Sequence, residues 1–137
     1  MATPHDADLI LKLYELRTEA TMRAARSFVA TFNPANIDEL LTLQRDSSSQ
    51  NNAYWRQATS YWDMAAAFVN RGALDAELFA DCCGEALFYY AKFSPLHAAY
   101  QEATGQPFMR QIATAIAAHP AIAERYEMFH KRFQPKS

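Results

Sequence analysis

Residues 50–71 read QNNAYWRQATSYWDMAAAFVNR, and the spacing of apolar side chains in this segment indicates the fold class. Its aromatic and small residues recur every three or four positions, which is the period of an α-helix. On a helical wheel they cover an arc of about 140°, and they are Tyr54, Trp55, Ala58, Tyr61, Trp62, Ala65, Phe68 and Val69. The polar residues of the segment fall outside that arc. The pattern predicts a long helix with one buried face.

Prolines and glycines divide the rest of the chain into further helical segments. Several prolines follow a residue that can cap a helix, and proline is well tolerated at the first helical position. Gly72 and Gly105 follow apolar segments, as helix-ending residues in the left-handed conformation do. Asp75 stands where an N-cap is expected. This punctuation predicts seven helices, at 4–32, 37–45, 50–71, 76–93, 95–104, 107–118 and 120–133.

Length and composition agree with a helical domain. The chain has 137 residues, of which 50% are hydrophobic and 20% charged, so it can bury a core as a single domain. It contains only three glycines, which argues against an architecture rich in β-hairpins. The sequence predicts one all-α domain spanning 1–137. We expect an antiparallel bundle of about four main helices with two or three short ones.

Charge and cysteine content exclude several classes of protein. The net charge of −2 gives no strong attraction to nucleic acid, and no segment has the length and apolarity of a membrane span. Cys82 and Cys83 are adjacent, which fits neither a disulfide framework nor a zinc site, and both are predicted to be buried within a helix. We expect a cytoplasmic protein without cofactor, nucleic-acid partner or membrane span.

A possible metal site is suggested by Glu127 and His130, which form an E-x-x-H pair on the last predicted helix. Carboxylate-bridged di-iron bundles use this spacing, but they use it twice and add two glutamates from other helices. Here the pair occurs once, so a metal-dependent enzyme is only an alternative. His97 and His119 are predicted to be surface or capping histidines.

The aromatic residues allow a second alternative, a binding site for an apolar or aromatic small molecule. Such a pocket would be lined by Tyr54, Trp55, Tyr61, Trp62, Tyr89 and Tyr90. The same side chains could instead fill the core with their polar groups at its rim. Glu85 lies at the edge of the apolar arc of its helix, where it either reaches solvent or needs a partner such as Tyr89, one turn on.

The predicted helix 4–32 carries apolar residues on two faces. Besides its main stripe, Leu11, Met22 and Val29 project from nearly the opposite side. A long apolar stripe is uncommon on the surface of a monomer, so these three residues are candidates for a contact between two copies of the chain. The competing interpretation is a monomer in which the 37–45 helix, with Leu40 and Leu41, covers the same stripe.

Residues 61–95 resemble the middle of a bacterial family of small all-helical domains of unknown function. The similar features are an aromatic-rich helix, an R-G-x-L-D-x-E-L-F turn at 71–79, and a helix with G-E-A and paired aromatics. The resemblance implies a helical fold and no activity. The favoured function is therefore a non-enzymatic helical interaction module, self-associating as a homodimer, with ligand binding and metal catalysis as alternatives.

Overall fold

The computed structural model describes residues 1–134, so the last three residues of the predicted domain, 135–137, lie outside it. Within the described residues the fold is all-α, with nine α-helices and no strand. The helices are α1 (Pro4–Arg17), α2 (Ala20–Thr31), α3 (Ile37–Arg45), α4 (Gln50–Asn70), α5 (Ala76–Cys82), α6 (Gly84–Lys92), α7 (His97–Thr104), α8 (Arg110–Ala118) and α9 (Pro120–His130). Short 3₁₀ turns cover Ser94–Leu96 and Lys131–Phe133.

Helix α4, which the pattern in residues 50–71 predicts as a long helix with one buried face, forms the centre of the bundle. Ser49 caps its start by accepting a hydrogen bond from the Asn52 N–H at 3.0 Å. Helices α2 and α8 pack along α4, and α3, α5 and α6 also contact it. Its buried side chains recur at helical spacing: Asn52, Trp55, Ala58, Tyr61, Trp62, Ala65, Ala66 and Val69. This face supplies much of the core, because it is covered from several sides.

Helix α9 closes the other side of the molecule against α5, α6 and α8. A close approach between α6 and α9 is possible because Gly84 has no side chain: a Cβ atom there would lie 3.1 Å from Nη2 of Arg125. Ala80 of α5 and Ala91 of α6, two further small residues, are buried. No helix in the part of the chain from 1 to 134 is long and apolar enough to span a bilayer.

The prediction of one continuous helix over 4–32 is wrong, because the chain breaks at Thr18 and Glu19. Glu19 has an extended backbone (φ −62°, ψ 144°), and its carboxylate accepts a hydrogen bond from the Met22 N–H at 3.0 Å. Glu19 is therefore the N-cap of a new helix. Hydrogen bonds from the backbone N–H groups of Thr21 and Met22 lower the pKa of the Glu19 carboxyl, because they stabilise its charged form.

The predicted helix 76–93 is likewise two helices, with the break at Cys83. Cys83 (φ −117°, ψ 40°) ends α5 and precedes α6, and this change of direction gives the two thiols different surroundings. Cys82 is exposed, contrary to the prediction, whereas Cys83 is buried. Burial raises the pKa of the Cys83 thiol to about 12, so this thiol stays protonated at neutral pH.

Predicted helix ends agree better with the structure where capping residues mark them. Gly72 (φ 79°) and Gly105 (φ 75°) both adopt the left-handed conformation after a helix. Asp75 caps α5 by accepting a hydrogen bond from the Leu78 N–H at 2.9 Å. The predicted helix 107–118 begins later, at Arg110, because Met109 adopts a positive φ of 44°.

Candidate functional site

The aromatic residues proposed as a ligand pocket do not line one common cavity. Trp55 lies in the core, edge-on to Phe93 at a centroid distance of 5.1 Å. Tyr61 and Trp62 stack on each other with centroids 4.8 Å apart, one turn and more along α4. Tyr54 is half-buried on another side of the helix, where its hydroxyl accepts a hydrogen bond from Gln50. Tyr61 and Trp62 therefore share one environment, whereas Trp55 and Tyr54 have other neighbours.

Of the two alternatives for Glu85, solvent exposure or a partner such as Tyr89, the structure shows the second. The Tyr89 hydroxyl donates a hydrogen bond to Oε1 of Glu85 at 2.6 Å. The Arg26 guanidinium lies against Oε2, with both Nε and Nη2 at 2.8 Å. Arg26 was not anticipated, because it comes from α2 and no local sequence signal connects it to Glu85. Burial raises the pKa of the Tyr89 phenol, and the hydrogen bond to the Glu85 carboxylate raises it to a smaller extent. The cluster joins α2 to α6 through the Glu85 carboxylate.

Glu127 and His130 form a contact on α9 but not a metal site. Oε2 of Glu127 lies 3.9 Å from Nδ1 of His130, and the His130 ring stacks on Tyr126 at 5.1 Å. The same ring nitrogen is 3.2 Å from the Gln134 side-chain amide. Among residues 1–134 no group of three or more His, Cys, Asp or Glu side chains could hold a metal ion. A metal at this pair would need ligands that the described chain does not bring there.

His97 occupies a different place from the surface position predicted for it. Its ring lies against Tyr90 and Phe108, with centroid distances of 4.1 and 5.5 Å. The pKa of His97 is lowered to about 4, mainly by burial; the Tyr90 carbonyl opposes the fall, and the charge of His130 adds to it. The imidazole is therefore neutral at physiological pH. Tyr90, one of the residues proposed for a ligand pocket, packs instead against the half-buried His97 ring.

The residues proposed for a contact between copies separate when the first predicted helix divides in two. Met22 and Val29 lie on α2 and are buried, with 4% and 0% of their surface exposed. Leu40 and Leu41 of α3 belong to the same core. Leu11, on α1, is 65% exposed. The single stripe of Leu11, Met22 and Val29 does not exist, because the break at Glu19 turns α2 so that its apolar face enters the core.

Contacts of Asp6 and Leu13 hold α1 to the rest of the molecule. Asp6 accepts a hydrogen bond from the Asp75 N–H at 2.8 Å and another from the Thr3 N–H at 2.7 Å. Leu13 is buried, and its carbonyl accepts a hydrogen bond from the Tyr61 hydroxyl. Hydrogen bonds from the backbone of Thr3 and Asp75 lower the pKa of the Asp6 carboxyl. One side of α1 is thereby fixed, and the other side faces outward.

The outward side of α1 carries large apolar groups beside a groove. Leu11 and Tyr14, three residues apart and therefore neighbours on the helix surface, are 65% and 56% exposed. The groove next to them has a volume of about 280 Å³ and is also lined by Trp62 and Cys82. The Arg17 guanidinium lies over the Tyr14 ring at 4.7 Å. We call this surface, made of Leu11, Tyr14 and the adjoining groove, the α1 face.

These features define a small all-α domain with exposed apolar side chains on its first helix and no metal-binding cluster in its described residues. Residues 2–133 match the family described as a domain of unknown function (DUF4760), and the chain belongs to this family. The match confirms the predicted membership in a family of helical domains of unknown function, and extends it from residues 61–95 to almost the whole chain. No curated protein and no solved structure matches the chain.

Proposed function

We propose that the domain acts by binding, not by catalysis, and that it forms a homodimer through the α1 face. The observation that carries the proposal is the side-by-side exposure of Leu11 and Tyr14 next to an apolar groove. Burying a side chain of this size is worth about 1.5–3 kcal/mol. The chain's own helices leave both of these side chains largely exposed, so a partner surface would gain their burial.

A second copy of the chain suits this surface because the α1 face carries both projecting side chains and a cavity. An isologous contact uses the same patch on both copies, so the projecting Leu11 and Tyr14 of each copy can meet the groove of the other. A two-fold axis beside Lys12 and Leu13 sets Leu11 opposite the partner's Tyr14 in an antiparallel pair of helices. The contact is then closed and limited to two copies.

Charge favours the antiparallel arrangement over the parallel one. Arg17 lies at the end of α1, so an antiparallel pair separates it from the partner's Arg17 by about 13 Å along the helix axis. A parallel pair places the two guanidinium groups side by side, which is unfavourable. Lys12 and Glu15 are exposed next to the apolar residues and keep the rim of the contact polar.

Analytical ultracentrifugation of the full chain tests the dimer and its location. We expect a monomer–dimer equilibrium. Its dissociation constant should rise at least tenfold in Leu11→Glu, because each of the two copies brings one introduced charge into the contact. Met128→Glu is the matched control, since Met128 is 62% exposed on α9, away from the α1 face. A parent chain that stays monomeric at high micromolar concentration would contradict the proposal. If Leu11→Glu and Met128→Glu change the dissociation constant equally, the dimer contact does not lie on the α1 face.

We also propose a cytoplasmic location. The support is chemical: the chain combines an exposed thiol, Cys82, with a buried protonated one, Cys83, and a reducing compartment keeps both in this form. Thiol alkylation of intact cells before lysis tests it, with Cys82 expected to be found in the free thiol form.

A further inference from the structure

A cleft on the far side of α4 from the α1 face combines aromatic walls with an oriented cation. It has a volume of about 480 Å³ and lies between α3, α4, α7 and the segment that precedes α8. Volumes of this size are typical of sites for small molecules. The α4 wall extends from Arg56 to Asp63, two turns apart on one side of the helix and separated by about 10 Å of axial rise.

Arg56 is held in place at one end of the cleft by a buried amide. Asn52, only 1% exposed, accepts a hydrogen bond from Nε of Arg56 at 2.8 Å. The Asn52 amide nitrogen is itself fixed by the carbonyls of Leu43 and Gln44, at 3.0 and 2.8 Å. Neither terminal nitrogen of Arg56 pairs with a carboxylate within residues 1–134. The guanidinium is therefore oriented and free to bind an anion.

The wall formed by α3 and α7 presents a second hydrogen-bond donor. The Gln44 amide nitrogen donates to the Tyr100 hydroxyl at 2.9 Å, and its amide oxygen lies 3.3 Å from the Trp55 indole nitrogen. Because the Tyr100 oxygen accepts from Gln44, its own proton can be donated to a bound molecule. The Tyr100 ring stands edge-on to Phe108 at 5.3 Å, and Phe108, which is 4% exposed, contributes its remaining apolar surface to the cleft wall beside the donors.

The opposite end of the cleft holds one carboxylate, that of Asp63, two helical turns away from Arg56. The Asp63 carboxylate accepts hydrogen bonds from the Gln111 and Ile112 N–H groups, at 2.9 and 3.0 Å, so it is used at the start of α8. Met109 next to it is a non-glycine residue with a positive φ of 44°. Such a conformation costs about 1 kcal/mol or more and is concentrated at ligand-binding sites. Here it brings Phe108 and Met109 into the cleft wall.

We infer that this cleft binds a small planar aromatic acid. Its acidic group pairs with the terminal nitrogens of Arg56, a polar atom accepts from the Tyr100 hydroxyl, and its ring lies against Phe108. The site differs from the aromatic pocket suggested by the sequence, since of those residues only Trp55 lines it. It also lies outside the α1 face, so binding here is independent of dimer formation.

Two fluorescent probes test both the location and the chemistry of the site. Anilinonaphthalene sulfonate is an aromatic anion with a flat naphthalene ring, and phenylnaphthylamine has the same rings without the charge. We expect one sulfonate probe per chain, bound about tenfold more weakly by Arg56→Gln, whereas the affinity for the neutral probe changes little. Arg23→Gln, which removes an exposed charge elsewhere, should bind both probes as the parent does.

Further variants keep the test decisive. Thr59→Trp fills the cleft and should abolish binding of both probes, and circular dichroism checks that this variant is folded. Leu11→Glu should leave binding unchanged, because it alters only the α1 face. The inference is overturned by the absence of binding to the parent. It is also overturned by an Arg56→Gln variant that binds the sulfonate probe normally, or by loss of binding in Leu11→Glu.

Discussion

At the residue scale, Asp75 shows how a single side chain sets the start of a helix. Its carboxylate accepts the Leu78 N–H, one of the amides that have no partner within α5. We expect Asp75→Ala to lower the free energy of unfolding by about 1 kcal/mol, the usual effect of removing a cap. Chemical denaturation measures this loss as a lower midpoint at unchanged slope.

Asp81→Ala provides the comparison for Asp75→Ala, because Asp81 is an exposed aspartate of the same helix that caps nothing. Its effect should stay within about 0.5 kcal/mol, as is usual for surface substitutions. If the two variants unfold at the same denaturant concentration, the hydrogen bond to Leu78 does not stabilise the helix start.

Some side-chain contacts of the candidate sites follow from sequence spacing, and others do not. Glu85 and Tyr89 are one helical turn apart, so their contact follows from spacing alone. Arg26 is 59 positions away from Glu85, and its contact depends on how α2 packs beside α6. Arg56 and Tyr100 of the cleft are likewise brought together only by tertiary packing. Local partners could be predicted, but distant ones could not.

At the element scale, the predicted boundaries agree with the structure where capping residues carry the signal. Asn36 and Glu39 mark the start of α3, which has the predicted bounds of 37–45. The break at Glu19 was missed because no glycine or proline marks it, and glutamate is not among the common N-cap residues. Cys83 gives no breaking signal either, so α5 and α6 were predicted as one helix.

Met109, at the start of α8, should show a measurable backbone strain. Met109→Gly and Met109→Ala remove nearly the same buried side chain, but only glycine adopts a positive φ without cost. We expect the glycine variant to be the more stable of the two by about 1 kcal/mol, measured by denaturant unfolding.

The same pair of substitutions at Met128 gives the reference for an ordinary helical position. Met128 is exposed on α9, where alanine should exceed glycine in stability by about 0.5–1 kcal/mol. The order of the two variants should thus be opposite at the two methionines. An alanine variant that is the more stable at Met109 as well would show that the loop before α8 relaxes freely.

At the scale of the whole molecule, the buried His97 makes stability depend on pH. In the unfolded chain this imidazole has its ordinary pKa of 6.5, whereas burial lowers the pKa to about 4 in the folded state. Above pH 6.5 the imidazole is neutral in both the folded and the unfolded chain, so His97 causes no loss of folding stability there. As the pH falls from 6.5 to about 4, only the unfolded chain gains the proton, so folding stability decreases. We expect a loss of about 2 kcal/mol over this range, allowing for the partial exposure of the ring.

His97→Phe should remove most of that pH dependence, because a phenyl ring can pack against Tyr90 and Phe108 without binding a proton. Thermal unfolding at a series of pH values measures the effect. His5→Gln, which removes an exposed histidine, should retain the parent's behaviour. Should the His97→Phe variant lose stability between pH 6.5 and 4 as steeply as the parent, another group must be responsible.

The break at Glu19 divides residues 4–31 into two helices that differ in how well they tolerate substitution. Substitutions at Met22 and Val29 of α2 disturb the core directly, so drift there is restricted to apolar residues of similar volume. Leu11 and Tyr14 of α1 make few contacts within their own chain and can change at little cost in stability. Members of the family can therefore vary the outer surface of α1 while the bundle beneath stays the same.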